Sequence, residues 1–192
     1  MKKIASEAEK LRKKKFSRSA MGIFLIFLMV FSTASFAFID YSNEDSSVQE
    51  RITYQGTEFS SDGYFWYFTI GGNQFATLYN PQELAAEGIT SPLDYSLSRY
   101  TNQPLYYVGD GEGLGEIDRN IRFLLLRTSR ACLTGTICEG NFPIKDCNDH
   151  IIVFKESVSP SIYSENNCVF IVAPRASLAK YTDAFLFDLF DV

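Results

Sequence analysis

The sequence predicts an α+β protein: an amino-terminal transmembrane helix followed by one extracytoplasmic domain with a mostly antiparallel sheet and packed helices. Three observations carry that expectation. Twenty consecutive uncharged residues, from Ala20 to Ile39 (AMGIFLIFLMVFSTASFAFI), follow a Lys/Arg-rich head. Short aromatic and β-branched runs separated by Gly, Asn and Asp come next, as strands and tight turns require. Stretches of helical period alternate with later apolar runs and close the chain.

The uncharged segment comes first. At about 1.5 Å per residue, twenty helical residues match the ~30 Å hydrocarbon core of a bilayer. Lipid offers no partner to backbone amides, so a segment crossing it must be helical. Residues 1–19 then form a basic cytoplasmic tail, and the chain from Asp40 onward lies outside, by the excess of Lys and Arg on the inner side. The lipid bilayer is therefore an expected partner through Ala20–Ile39, and the location is the cell membrane, single-pass. A cleaved secretory signal is the alternative, with Gly22 to Phe31 as its apolar region and Ser35-Phe36-Ala37 as its cleavage motif, releasing the domain near Ala37. Against it, the basic region is long and apolar residues continue through Phe38 and Ile39. Both readings export the same domain.

Charge sorts with this division. Of 18 Lys/Arg and 23 Asp/Glu in 192 residues, residues 1–39 hold eight basic and two acidic, leaving the rest with a net charge of −11. A domain that acidic repels phosphate backbones and has no Lys/Arg cluster interleaved with aromatics, so nucleic acid is not an expected partner. With 46% hydrophobic residues the chain supports one ordinary core plus an accessory segment.

Residues 40–51, including the polar stretch YSNEDSSVQE, read as a linker, and residues 52–192 as the domain. Ile52 to Phe59, Tyr64 to Ile70 and Gln74 to Tyr79, separated by Ser-Ser-Asp-Gly and Gly-Gly-Asn, form a β-meander. Asn80-Pro81 opens a short helix that Gly88 stops. A second short helix runs from Ser91-Pro92 to about Tyr100, and Pro104 to Val108 is a strand. A longer helix is expected over Gly115 to Leu133, with Ile117, Ile121, Leu124, Leu125 and Thr128 on one side. Ile151 to Phe154 and Cys168 to Val172 are short apolar strands, and Ser177 to Phe190 is a closing helix with Leu178, Tyr181, Phe185 and Leu189 at helical spacing.

Four cysteines, Cys132, Cys138, Cys147 and Cys168, lie late in a domain read as extracytoplasmic, where an even count favours disulfides. Three connectivities exist; the favoured one pairs Cys132 with Cys138 and Cys147 with Cys168. Gaps of five, eight and twenty residues do not suit the close pairs of a zinc site, and thiol redox chemistry wants C-x-x-C at a helix start. No cofactor and no metal are expected.

Gly109-Asp110-Gly111-Glu112-Gly113-Leu114-Gly115 joins a strand to a helix as phosphate loops do. Its carboxylates Asp110, Glu112, Glu116 and Asp118 would repel phosphate, and no Gly-Lys-Ser/Thr is present. The same four form a candidate acidic site, although an EF-hand fails because Ile121 stands where a bidentate Glu belongs. His150 is the sole histidine, read as an exposed loop residue within Asp146-Cys147-Asn148-Asp149-His150. Tyr64, Phe65, Trp66, Tyr67 and Phe68 form a candidate partner surface. Strand alternation sets Tyr64, Trp66 and Phe68 on one side and Phe65 and Tyr67 on the other.

The stretch Pro143-Ile144-Lys145-Asp146-Cys147-Asn148-Asp149-His150-Ile151-Ile152-Val153-Phe154, then Asn167-Cys168-Val169-Phe170-Ile171 and a terminal helix, resembles a group of single-span archaeal membrane proteins with no assigned activity. The resemblance implies an archaeal cell-surface setting with Cys147 paired to Cys168, and it supplies no catalytic residue. The expected function is a membrane-anchored extracytoplasmic role without catalysis, binding a protein partner at the cell surface or assisting envelope assembly. The alternative is an extracytoplasmic hydrolase using carboxylates near Asp110–Asp118 or Asp146–His150.

Overall fold

The computed structural model describes residues 24, 26–29, 50–138 and 140–192. The expected tail and most of the expected span and linker lie outside these residues; within the span, Phe24 and residues 26–29 are helical. Among the described residues no helix is long and apolar enough to cross a membrane. Gln49–Val192 forms one compact unit of α+β architecture, with an antiparallel sheet and packed helices.

The meander forms a four-stranded antiparallel sheet of β1 (Arg51–Tyr54), β2 (Thr57–Ser61), β3 (Trp66–Ile70) and β4 (Asn73–Thr77), in that order. The single run expected over Ile52 to Phe59 is a hairpin. Gln55 (φ 47°) and Gly56 (φ 86°) both occupy the left-handed region that a two-residue type I′ turn demands. Glutamine is not a residue that advertises positive φ. Gly71 and Gly72, the β3–β4 turn, do advertise it and adopt it.

The first helix, α1 (Pro81–Ala86), carries a reciprocal capping box. Glu83 N donates to Asn80 Oδ1 at 2.9 Å, and Asn80 N donates to Glu83 Oε2 at 3.0 Å. The helix expected from Ser91 shrinks to a single 3-10 turn, Leu97–Arg99. The Ser91 hydroxyl, which would have capped it, donates instead to Asp188 Oδ2 at 3.1 Å.

The second sheet has five strands ordered β10-β11-β9-β5-β6: β5 (Pro104–Val108), β6 (Arg127–Arg130), β9 (Ile151–Glu156), β10 (Ser161–Glu165) and β11 (Cys168–Ala173). Only β10–β11 is antiparallel; β11–β9, β9–β5 and β5–β6 are parallel. A two-stranded parallel ribbon, β7 (Cys132–Leu133) with β8 (Ile144–Lys145), stands apart. The expectation of one mostly antiparallel sheet is thus corrected: the antiparallel sheet is the meander, and the larger sheet is mostly parallel. The cause is visible in β9 and β11, whose continuous runs IIVF and CVFIVA are buried on both faces, the property of parallel strands covered from both sides.

The second helix, α2 (Glu112–Ile121), ends well before the expected Leu133. A 3-10 turn, Arg122–Leu124, follows, and then β6. Backbone groups that would have continued the helix are taken by the segment before β5: Asn102 N donates to Leu124 O at 2.8 Å, and Leu126 N donates to Gln103 O at 3.0 Å. Helix α3 (Leu178–Phe190) closes the chain. One core cluster joins the inner face of the meander (Phe59, Trp66, Phe68, Phe75), helices α2 and α3, and one face of the five-stranded sheet (Leu105, Tyr107, Ile152, Phe154). The other face of that sheet, with Tyr106, Ile151, Val153 and Phe170, forms a smaller cluster.

Candidate functional site

The aromatic run divides by burial. Trp66 and Phe68 are core residues, and Phe68 packs 4.8 Å from Phe59 and 5.7 Å from Phe187, ring centre to ring centre. Phe65 and Tyr67 face outward and meet edge to face at 6.3 Å, with the Arg119 guanidinium 4.3 Å over the Phe65 ring. Tyr64 does not join Trp66 and Phe68, because β3 begins after it; it sits in a turn and is 82% exposed. Asp62 organises that turn, accepting at Oδ1 from the Tyr64 and Phe65 amides and at Oδ2 from the Tyr67 hydroxyl, each at 2.8 Å. Those donors hold the Asp62 carboxyl below its usual range, and the same bond pushes the Tyr67 phenol up.

Beside these rings the outer face of the meander curves into an open groove of about 570 Å³. Arg51, Thr53, Glu58, Ser60, Tyr67 and Gln74 are among the residues lining it, so it combines a guanidinium, hydroxyls, an amide and a carboxylate with an aromatic ring. The β4 edge of the sheet is closed. Asn120 imitates a neighbouring strand, accepting from Ala76 N and donating to Ala76 O, both at 2.8 Å. Further along, Asp183 Oδ2 accepts from Leu78 N at 3.1 Å and Tyr79 N at 3.0 Å. Side chains on two helices thus satisfy backbone groups that would otherwise template another chain.

The glycine-rich loop between β5 and α2 serves packing. A Cβ on Gly109 (φ 88°) would overlap the Phe154 carbonyl oxygen, one on Gly111 would approach Leu178 to 2.7 Å, and one on Gly113 would overlap the Thr182 hydroxyl. The loop is pressed against β9 and the start of α3. Its four carboxylates are not brought together. Asp110 forms an ion pair with Arg130. Glu112 is exposed in the first turn of α2, and Glu116 is buried and paired with Arg119 at 2.6 Å. Asp118 accepts from the Tyr107 hydroxyl at 3.0 Å and pairs with Arg122 at 3.6 Å. Among the described residues no group of three or more His, Cys, Asp or Glu side chains could hold a metal ion.

Sequence reasoning missed a buried acid pair. Asp183 on α3 is wholly buried beside Glu116 on α2, which is 1% exposed. Burial, and then the Glu116 charge, push the Asp183 carboxyl well above the usual carboxylate range. Its Oδ1 receives no donor from the chain, while its side chain lies within hydrogen-bonding reach of Glu116. The only hint in the sequence was an acid at a position of α3 flanked at helical spacing by Ala179, Leu186 and Phe187.

His150 is half-buried at the head of β9, where a fully exposed loop residue was expected. Its ring lies 5.6 Å from that of Tyr100, and burial followed by the Arg99 charge lowers its pKa, against a smaller opposing effect of Asp149. Asp149 pairs with Lys145 at 3.0 Å, and Asp146 Oδ1 accepts from Asn148 N at 2.9 Å within a local turn. These acids are thus engaged locally, and the imidazole makes no side-chain hydrogen bond to a hydroxyl or a carboxylate among the described residues. Three polar atoms here, Arg99 Nε, Tyr100 Oη and His150 Nδ1, are shielded from solvent and meet no partner. Each such atom costs about 1–3 kcal/mol when left unsatisfied.

The cysteines stand at disulfide distance in the favoured pairing, with Cα separations of 5.8 Å for Cys132–Cys138 and 5.0 Å for Cys147–Cys168. The second pair ties the loop before β9 to the start of β11. No protein-family model, curated protein or solved structure matches the chain.

Proposed function

We propose that this chain is a membrane-anchored extracytoplasmic protein that acts without catalysis, binding a protein partner or assisting assembly at the cell envelope through the outer face of its meander. The observation that carries the reading is the arrangement of Tyr64, Phe65, Tyr67 and Arg119: aromatic rings and a guanidinium presented together, next to an open polar groove. Tyrosine and arginine dominate the energetic centres of protein interfaces because they combine large contact area with hydrogen-bonding ends. The cationic head, the uncharged segment Ala20–Ile39 and the two cystines support an anchored domain in an oxidising compartment.

The test is a pull-down of the full chain from its native membranes. The double substitution Tyr64→Ala with Phe65→Ala is expected to lose a co-purifying protein while thermal unfolding stays where it was, since neither side chain belongs to the core. Trp66→Ala, by contrast, should unfold the domain, at a cost of about 3–5 kcal/mol. Retention of every partner by the folded double variant would refute the assignment.

A further inference from the structure

We propose that the outer groove of the meander is a binding site for a neutral oligosaccharide. The strand register builds it. Across the first three strands Arg51 stands opposite Ser60, and Ser60 opposite Tyr67. Two residues along each strand, Thr53 stands opposite Glu58, and Thr69 opposite Gln74. Strand alternation sets these side chains on one face, while their neighbours Phe59, Phe68 and Phe75 enter the core. They all line the same groove of about 570 Å³, within the range of about 300–1,000 Å³ usual for small-ligand sites.

The mix of donors and acceptors fits sugar hydroxyls, each of which both donates and accepts. The Arg51 guanidinium only donates, the Glu58 carboxylate only accepts, and the Gln74 amide and the Thr and Ser hydroxyls do both. Among the described residues, the side chains of Thr53, Glu58, Ser60, Thr69 and Gln74 enter no hydrogen bond or ion pair within the chain, so they remain available to a ligand. Tyr67 supplies an aromatic ring for the C–H face of a sugar, and the bond from its hydroxyl to Asp62 at 2.8 Å fixes that ring in place.

Other occupants fit less well. Among the described residues, Arg51 and Glu58 are the only charged ones lining the groove, and they balance, which favours a ligand without net charge. A phosphorylated ligand would meet the Glu58 carboxylate with a single guanidinium to offset it. A peptide strand adds to a sheet at its edge, whereas this groove crosses strand faces. Protein interfaces centre on desolvated aromatic and apolar anchors, and here short hydroxylated side chains occupy that place. The sugar site also leaves untouched Tyr64 and Phe65, the rim assigned above to a protein partner, so the two roles can be separated.

Saturation-transfer NMR on the full chain in dodecylphosphocholine, a detergent without a sugar head, tests the site. The probes are neutral tetrasaccharides of glucose, mannose, galactose and N-acetylglucosamine, with a sulfated tetrasaccharide as the charged control. At least one neutral probe is expected to receive saturation from the protein. Glu58→Ala and Gln74→Ala, both at exposed positions, should each cut that transfer several-fold, and Tyr67→Ala should abolish it. The Tyr64→Ala, Phe65→Ala double variant should keep it, so loss of a protein partner and loss of the sugar are distinct outcomes. Should Tyr67→Ala unfold, the Glu58→Ala and Gln74→Ala variants decide. The proposal is overturned by no transfer to any neutral probe in the wild type, by transfer unchanged in both of those variants, or by transfer to the sulfated control alone.

Discussion

Asp183 accepts from the Leu78 and Tyr79 amides with one oxygen and lies buried beside Glu116, whose charge and the burial itself disfavour its ionised form. Its folded pKa is raised above the ordinary 3.8, which means the native state binds more protons than the unfolded chain. Stability from this group is complete below pH 3.8 and declines as pH rises through the raised folded value. Asp188, pushed up to about 6 chiefly by burial, has the same sign, with its decline spread between 3.8 and about 6. Asp183→Asn keeps an acceptor for the amides and supplies a donor to Glu116 without a titrating proton. Urea midpoints measured across pH should therefore fall less steeply in that variant than in wild type; an identical slope would exclude Asp183 as the source. Asp183→Ala strands two buried amides and should cost about 2–4 kcal/mol at neutral pH. None of this was legible beforehand, because an acid among helix residues looks the same in sequence whether it meets water or another acid.

At the scale of elements, the closest approach of two helices depends on one atom. Gly113 lies in α2 where a Cβ would overlap Thr182 Oγ1 on α3 and come to 2.8 Å from the Phe154 ring, whereas Gly115 has nothing within 4 Å. Alanine gains about 1 kcal/mol of helix propensity over glycine, and overpacking a filled core costs about 1–3 kcal/mol. Gly115→Ala should raise the thermal midpoint and Gly113→Ala should lower it; movement in the same direction would contradict this packing. The cystines differ in the same way. Cys147–Cys168 closes a separation of 21 residues and Cys132–Cys138 one of 6. Replacing the first pair by alanine should cost about 3 kcal/mol and the second about 2, read as shifts in urea unfolding. The capped helix α1, strand β5 and helix α3 were readable because their signals are local. Strand β6 was not, since Arg127 to Arg130 continue a helical spacing that only the backbone bonds to Asn102 and Gln103 interrupt.

For the whole molecule, orientation is the property on which the proposed role depends. A reporter active only outside the cytoplasm, fused after Val192, is expected to work, and one active only inside is expected to stay silent. The reverse result would remove both the exported location and the oxidised cysteines from the argument. The two sheets show where local reading stops. Alternation along β1 to β4 placed Trp66 and Phe68 inside and Phe65 and Tyr67 outside. The order and direction of β5, β6, β9 and β11 depend on pairings between strands up to 45 residues apart, as Tyr106 with Ile151, and no local pattern encodes those.

By itself the sequence determined the charge division, the α+β class, the cap chemistry of α1 and the even cysteine count, all of which follow from neighbours within a few residues or from simple counts; among the three possible cysteine pairings it only favoured one. Tertiary structure alone decided that the larger sheet is mostly parallel, that Asp110, Glu112, Glu116 and Asp118 part company, that Asp183 lies beside Glu116, and that Tyr100 meets His150. Such contacts join residues distant in sequence, and their energies depend on burial, which no single segment specifies.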